Sequence, residues 1–460
     1  MTFQATSKQN TVVNYDGSIS ASPQQLVRPS TIQEIQSILR DGERYPSPVR
    51  AMGSYHSLTP CVSTDGTIID MSRMTRILGI NWTEMTFTAE AGLQVVDASA
   101  ILRRLGLQLM TNIEIGNMTL GAAACCQSKD ALDGVQFGQF NSYVVDMRWV
   151  TPDGQLAEAS ERDTPDLLTM MRSSYGLIGV IYQTTFRIKP LEAVHFSYLP
   201  RPIKDLTDSE VDDIIEGSEG LICWTVGRRA HFQTRRRVPE AGASGRFFAA
   251  VRRRLWNHTE ASAGRFIDRY VPTKPLKNFA LDTWFSGTKL TFSALHLTRG
   301  FSLYDPDKTV DYRSTPASAK YAFTFWTFTR QQWLSILREY LDFSEDYFKR
   351  RGFRCNMALG SYYIRKDTSS ILSYSYNGDM FSIDPIHADT NRLAWHEFLQ
   401  HFNEFAYSRK GTPLLNQSPF VNKDYVEAAY GERWKKFADW IKSTDPSRRM
   451  VNQFFADLLD

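Results

Sequence analysis

The chain has 460 residues, of which 42% are apolar and 22% charged, with a formal net charge of +3. That length exceeds what one compact core holds and predicts two domains, while the small net charge points to no polyanionic partner and argues against nucleic acid. Five cysteines (Cys61, Cys125, Cys126, Cys223, Cys355) at irregular spacing exclude a disulfide framework and a zinc ribbon, no run of eighteen apolar residues occurs, and the opening MTFQATSKQN lacks the order of a secretory signal, so a cytoplasmic protein is expected.

Thr31 with Glu34 reads as a capping box, and Ile32, Ile35, Ile38 and Leu39 continue it at helical spacing to about Asp41. PVRAM (48–52) reads as a strand that runs into the turn GSYHS. TIIDM, RILGI and MTFTAEA read as three short strands, and VVDASAILRRLGL as a helix closing at Gly106. SYVVDMRWV, the turn PDG and QLAEAS form a hairpin signal, because Pro presets the turn and Gly permits positive φ. A helix from about Thr164 precedes SSYGLIGVIYQTTFRIKP, a β-branched strand stopped by Pro190, where the domain seam is expected. Beyond it, YAFTFWTF and SYYIRKDTSSILSYSY read as aromatic strands, suited either to core or to the wall of a pocket.

A dinucleotide needs backbone N–H groups that can approach its pyrophosphate closely, so glycine and small residues should cluster on turns beside strands and helix starts. Three such clusters precede residue 190: GSYHS (53–57), GNMTLGAAA (116–124) and YGLIGV (175–180). Neither a Rossmann G-x-G-x-x-G nor a P-loop is present.

In this order the runs VRAMGSYHSLTPCVSTDGTIIDMSRM, FTAEAGLQVVDASAILRRLGLQL, GNMTLGAAA and YGLIGVIYQTTFRIKP resemble the vanillyl-alcohol oxidase-type (PCMH-type) FAD domain. The likeness is closest to the branch of L-gulonolactone, D-arabinono-lactone and alditol oxidases together with decaprenylphosphoryl ribose oxidase. It covers about residues 10–190 and returns in DYVEAAYGERWKKFADWIKSTDP and MVNQFFADLL. The resemblance implies an α+β fold: a two-subdomain FAD-binding domain over 1–190, a sheet-and-helix substrate cap over 191–405, and a segment 406–460 returning to the first domain.

It further implies a covalent bond from His56 to FAD, chemistry that suits a neutral imidazole nitrogen near pH 7; read alone, GSYHS fits equally a histidine that only hydrogen-bonds within a turn. Met52, Gly53, Ser54, Tyr55 and Ser57 would wrap the pyrophosphate, with Tyr55 standing where the family has glycine. Gly116, Asn117, Thr119, Gly121, Cys125, Cys126 and Ser128 would line the flavin side, and Gly176, Gly179, Val180 and Ile181 the adenine side and ring edge. Asn416 would sit by the flavin.

Three departures bear on the substrate. CCQSKD (125–130) replaces a Ser-Gly-Thr-His-type segment, with Lys129 at the histidine; Gln417 replaces a lysine that reaches flavin and substrate; Gly360 and Tyr362 stand where polyol oxidases have a glutamate and an arginine. The expectation is an FAD-dependent oxidase that takes a hydride from a C–OH or C–N carbon of a small, weakly polar molecule, with oxygen as acceptor, and not from a sugar lactone. Tyr362, Tyr363, Gln417 and Lys129 are the candidate catalytic residues. Two alternatives stay open: a tailoring oxidase of secondary metabolism that cyclises or desaturates its substrate, and a redox-inert scaffold of the same fold. The arginine-rich stretch 228–254, with FFAAVRRRLW as a basic amphipathic helix, fits a solvated face, a subunit contact or a peripheral membrane contact.

Overall fold

The computed structural model describes residues 11–460 apart from 112, 114, 129–136, 240–246, 248–250, 252–258, 296–302, 305–314, 316–318 and 389–391. Lys129 and most of FFAAVRRRLW lie outside the described residues.

After a short antiparallel hairpin of Val12–Val13 with Ser20–Ala21 come β1 (Gln25–Val27), α1 (Ile32–Arg40), β2 (Val49–Met52) and β3 (Thr67–Asp70), and these three strands form a parallel sheet in the order β1-β3-β2. Helix α1 starts where Thr31 Oγ1 accepts the Glu34 N–H at 3.2 Å. The return arm of the expected capping box goes one residue further back, Glu34 Oε2 accepting the Ser30 N–H at 2.6 Å. Ile35, Ile38 and Leu39 then bury one face, the stripe that the spacing predicts.

There follow β4 (Ile77–Asn81), β5 (Thr86–Glu90), α2 (Val95–Arg104), β6 (Leu107–Leu109), α3 (Leu120–Cys125), β7 (Val144–Val150), β8 (Leu156–Ser160), α4 (Pro165–Met171) and β9 (Val180–Pro190). An antiparallel sheet runs β8-β7-β9-β5-β4, with β6 pairing the far end of β9. The hairpin at PDG is present, with Leu156 opposite Val150 and Gly154 at φ +82°. Arg40 and Gln36 of α1 both donate to Gly154 O, at 2.7 and 2.9 Å, fastening the turn to the helix.

From residue 193 the chain builds a second sheet. Its elements are β10 (Ala193–Pro202), α5 (Asp208–Glu216), β11 (Gly220–Val226), β12 (Arg229–Val238), α6 (Ala261–Tyr270), α7 (Lys274–Leu295), β13 (Leu303–Tyr304), β14 (Trp326–Thr329), α8 (Arg330–Arg351), β15 (Leu359–Ile364), β16 (Met380–Ile383), α9 (Arg392–Ser408) and β17 (Thr412–Pro413). The eight strands run β13-β10-β12-β11-β15-β16-β14-β17, all antiparallel. One face packs on α8 and α9 through Trp333, Leu337, Phe398 and Phe402; the other buries Ile222, Trp224 and Tyr362 with Leu281 and Phe285 of α7. The chain closes with α10 (Lys423–Tyr430), α11 (Glu432–Thr444) and α12 (Gln453–Leu459), whose Val426, Trp434, Phe437 and Phe455 join the core built by residues 35–188.

One expected strand is absent. Only the first four residues of SYYIRKDTSSILSYSY, the end of strand Leu359–Ile364, are β-structure, while 369–376 forms largely buried turns. The reason is polar: Gln127 Nε2 reaches Ser370 Oγ at 3.4 Å, Gln139 Nε2 reaches Ser373 and Ser375 at 2.7 and 3.1 Å, and Ser173 Oγ accepts the Leu372 N–H. These serines bond across to the first domain's core, into which Ile371 and Leu372 insert, instead of offering a face to a neighbouring strand.

The arginines of 228–238 are engaged locally. Arg228 pairs with Asp342 and Glu345 at 2.6 and 2.9 Å, Arg236 donates to Gly217 O at 2.8 Å, and Arg237 meets Glu219 at 2.9 Å. Among the described residues, no helix is long and apolar enough to cross a membrane.

Candidate functional site

The first glycine-rich turn leaves the end of β2, whose Arg50 side chain points into the protein. Its guanidinium donates to four carbonyls, those of Cys61 (3.0 Å), Tyr175 (2.6 Å), Gly176 (3.2 Å) and Met450 (2.8 Å). A buried cation whose hydrogen bonds go to carbonyls raises the potential of the space beside it, here partly offset by the Asp445 carboxylate and the Phe455 ring at 5.3 Å. Burial pulls its pKa down.

The turn itself packs on the second cluster. A Cβ on Gly53 would stand 2.3 Å from Thr119 Oγ1, so only glycine lets these turns meet. Ser54 Oγ donates to Asn117 O. At the third cluster Gly179 has φ +135° and a Cβ there would lie 2.1 Å from Val150 O. Two tyrosines also take the left-handed region, Tyr55 at φ +51° and Tyr175 at φ +49°. That conformation costs a residue with a Cβ roughly 1 to 2 kcal/mol, which explains why glycine suits position 55 better on backbone grounds. Tyr55 is held nonetheless by its hydroxyl on Ser63 Oγ (2.7 Å), and Tyr175 by its hydroxyl on Gln127 Oε1 (2.5 Å).

Together the three clusters line one cavity of about 90 Å³ that opens to solvent. Its wall includes Met52, Gly53, Ser54, Tyr55, His56, Ser57, Thr119, Gly121, Cys125, Cys126, Gly176, Gly179 and Ile181, joined from the C-terminal side by Asn416 and Gln417. Two buried polar atoms on residues of this wall, His56 Nδ1 and Asn416 Oδ1, have no hydrogen-bond partner among the described residues. The family description "FAD binding domain" matches residues 23–160, which contain the first two clusters.

The chain carries an FAD binding domain over residues 23–160.

Other comparisons agree on the fold. The chain is 30% identical over 208 residues to L-gulono-1,4-lactone dehydrogenase of Mycobacterium tuberculosis, covering 45% of this chain and 47% of that protein. It is 25% identical over 206 residues to L-gulonolactone oxidase of Mus musculus, covering 45% and 46%. The matched stretch thus spans about half the length of these curated relatives. Cholesterol oxidase from B. sterolicum superposes with a TM-score of 0.77 over 98% of this chain and 97% of that one, at 13% identity, a likeness of fold.

The residues present fit FAD. The glycine turns give the backbone approach that a pyrophosphate needs, Arg50 stands beside them as a buried cation, and His56 offers an unengaged ring nitrogen. His56 Nε2 lies 2.6 Å from Asn117 Nδ2, and the ring stacks on Tyr15 with centroids 4.4 Å apart. Burial, with Lys320 adding to it, pushes the His56 pKa down to about 3, so the imidazole is neutral at physiological pH. On its other side His56 borders a small apolar gap with Tyr15, Leu58, Ile115, Tyr321 and Phe323, the last two from the segment YAFTFWTF.

Several expected residues lie elsewhere. Val180 packs in the core behind the cavity. Gly116 and Asn117 stand behind the wall: Gly116 O accepts the Val96 N–H at 2.7 Å, and Asn117 reaches the site through His56. Ser128 is buried next to the wall, its carbonyl accepting the Phe140 N–H. Cys125 and Cys126 do line the cavity as free thiols with sulfurs 4.0 Å apart; the hydrogen bond to Cys125, with burial, holds the Cys126 thiol well above its usual pKa, so it stays protonated.

The two tyrosines expected to act in catalysis point to opposite faces of β15 and neither lines the FAD cavity. Tyr363 faces α8 and α9, and its hydroxyl donates to Asp379 at 2.6 Å, which commits it to that layer. Tyr362 shares its buried cluster with Phe325, Tyr374 and Leu414, three residues before Gln417. Sequence reasoning missed Arg50, Tyr175 and Tyr15. A signal existed for the first, an arginine in the middle of an otherwise apolar strand; Tyr15 carries none.

Proposed function

We propose that this protein is an FAD-dependent oxidase that holds FAD through a covalent bond to His56 and oxidises a C–OH or C–N carbon of a small, weakly polar organic molecule. The observation that carries the reading is the buried, unpartnered Nδ1 of His56 on the wall of a cavity framed by the three glycine turns. When bound, FAD supplies the hydride acceptor at N5 and passes the electron pair to oxygen.

The chain's own residues bind, orient and exclude water. Residues 1–190 with 406–460 form the FAD-binding body in this reading, and the cap of 191–405 covers the reacting face. Gln417, on the cavity wall beside Asn416, donates and accepts hydrogen bonds without acting as a base. The substrate hydroxyl or amine then loses its proton to another group, for which Tyr362 is the candidate on this side of the cap sheet, and Lys129 the alternative. Support for a weakly polar substrate comes from Gln417, Gly360 and Tyr362, where polyol and lactone oxidases have charged side chains, and from the rings of Tyr321 and Phe323 near His56.

Anaerobic mixing of the purified yellow protein with aryl alcohols, benzylic amines and L-gulono-1,4-lactone, followed at the flavin band, tests the reading. Bleaching by the less polar compounds supports it. Faster bleaching by the lactone overturns the substrate assignment, and a colourless protein overturns the flavoenzyme reading in favour of a scaffold.

A further inference from the structure

The second cluster's loop is rigidly placed. Val95 and Val96 at the start of α2 donate their N–H groups to Met118 O and Gly116 O at 2.9 and 2.7 Å, and Ser54 Oγ donates to Asn117 O. This fixes the Asn117 side chain against one nitrogen of His56, Nε2, at 2.6 Å. The other ring nitrogen, Nδ1, and the Asn117 Oδ1 are both buried with no hydrogen-bond partner among the described residues. A neutral imidazole has one N–H and one lone pair, and the partner of one nitrogen decides which nitrogen carries which. A primary amide can present either end to that partner, and the two ends are assigned from the surrounding hydrogen bonds.

We propose that Asn117 is the positioning residue for flavin attachment: its amide oxygen accepts Nε2–H of His56, which leaves the lone pair on Nδ1, and Nδ1 is the atom that bonds to the flavin. The inference rests on the covalent reading above. Nδ1 forms the bond to the flavin's 8α-methyl carbon; that carbon gives up one proton and the ring gives up its Nε2 proton. The two electrons released are held by the flavin until molecular oxygen takes them, with two protons, as hydrogen peroxide. Afterwards Nε2 has a lone pair, and the amide serves it by presenting its NH2 end, the orientation seen in the structure. An asparagine is suited to both states because it accepts before the bond forms and donates after it, whereas an aspartate only accepts and an alanine does neither.

The test uses the full chain, purified with FAD supplied, and measures the fraction of bound flavin that stays with the protein after acid precipitation. Asn117→Ala is expected to bind FAD yet show at least a tenfold smaller attached fraction than the unmodified chain. Asn117→Asp is expected to attach FAD, and the linked imidazole, followed by the pH dependence of flavin fluorescence in the folded protein, should titrate at higher pH because a carboxylate stabilises its cation. An attached fraction in Asn117→Ala equal to that of the unmodified chain overturns the role of Asn117 and leaves His56 attachment standing. FAD held but unattached in Asn117→Asp overturns it likewise, and does so even where the alanine variant fails to fold. An unmodified chain that releases all its flavin overturns the covalent reading and this inference with it.

Discussion

The part of the chain that carries the FAD binding domain, the body, and the eight-stranded sheet, the cap of the proposed function, are built on opposite principles. In the body, function sits in backbone: Gly53 against Thr119 and Gly179 against Val150 leave no room for a side chain, and Arg50 spends its donors on carbonyls drawn from three distant segments. The eight-stranded sheet is instead held by side chains, with Trp326, Phe328 and Phe381 packed on one face and Ile222, Trp224 and Tyr362 on the other. The family match falls on the first of these, over residues 23–160. Gln417 lies where they meet, on a C-terminal segment that lines the FAD cavity.

If the body is the rigid part, its substitutions should cost stability and FAD together. Arg50→Met removes the donors for the carbonyls of Cys61, Tyr175, Gly176 and Met450, and each buried acceptor left bare is expensive, so a loss of about 3 kcal/mol or more is expected, read as a lower midpoint in urea and a weaker flavin spectrum. Gly179→Ala forces a Cβ onto Val150 O at a positive φ and should cost about 2 to 3 kcal/mol by the same two readouts. Neither should alter which substrate bleaches the flavin that remains.

Cap substitutions should do the reverse. Tyr362→Phe is expected to slow anaerobic flavin reduction about tenfold or more in stopped flow, in the range of general-base effects, with FAD retained. Tyr363→Phe removes the donor to Asp379 and should cost about 1 kcal/mol of stability while leaving that rate unchanged. A rate lost with Tyr363 and kept with Tyr362 would reverse the assignment of the two faces of β15.

The smallest effect concerns pH. Burial, with Lys289 and Arg229 adding to it, holds His231 of β12 down to about 4, and its ring nitrogens have no hydrogen-bond partner among the described residues. The unfolded chain takes up this proton near about pH 6.5 while the folded chain refuses it until lower pH. The stability linked to the neutral ring is therefore fully present above about pH 6.5 and declines as pH falls towards 4. His231→Gln should flatten the fall of Tm between pH 7 and 5, measured by differential scanning calorimetry; an unaltered slope would show that other groups set it.

Local features of the body were legible in the sequence. The cap at Thr31, the PDG hairpin and the strand ending at Pro190 each depend on neighbours within a few residues, and all three are present. The glycine turns were legible as a set because a phosphate cradle demands small residues. What escaped depends on distant partners. SSILSYSY alternates like a strand, yet its serines answer to Gln127 and Gln139 more than 230 residues earlier. Arg50 meets Met450 across 400 residues, and nothing local to Tyr363 says that Asp379 will claim its hydroxyl. The family resemblance puts Val180 on the wall, but in an antiparallel strand its neighbour Ile181 faces the cavity and Val180 faces the core.

The central claim is that His56 carries the flavin, and intact mass spectrometry of acid-denatured protein tests it most directly, with His56→Ala alongside. The account predicts a mass of polypeptide plus FAD less two hydrogens for the unmodified chain, and bare polypeptide for the variant with its flavin free in the supernatant. A yellow unmodified chain whose denatured mass is that of the polypeptide alone would contradict it.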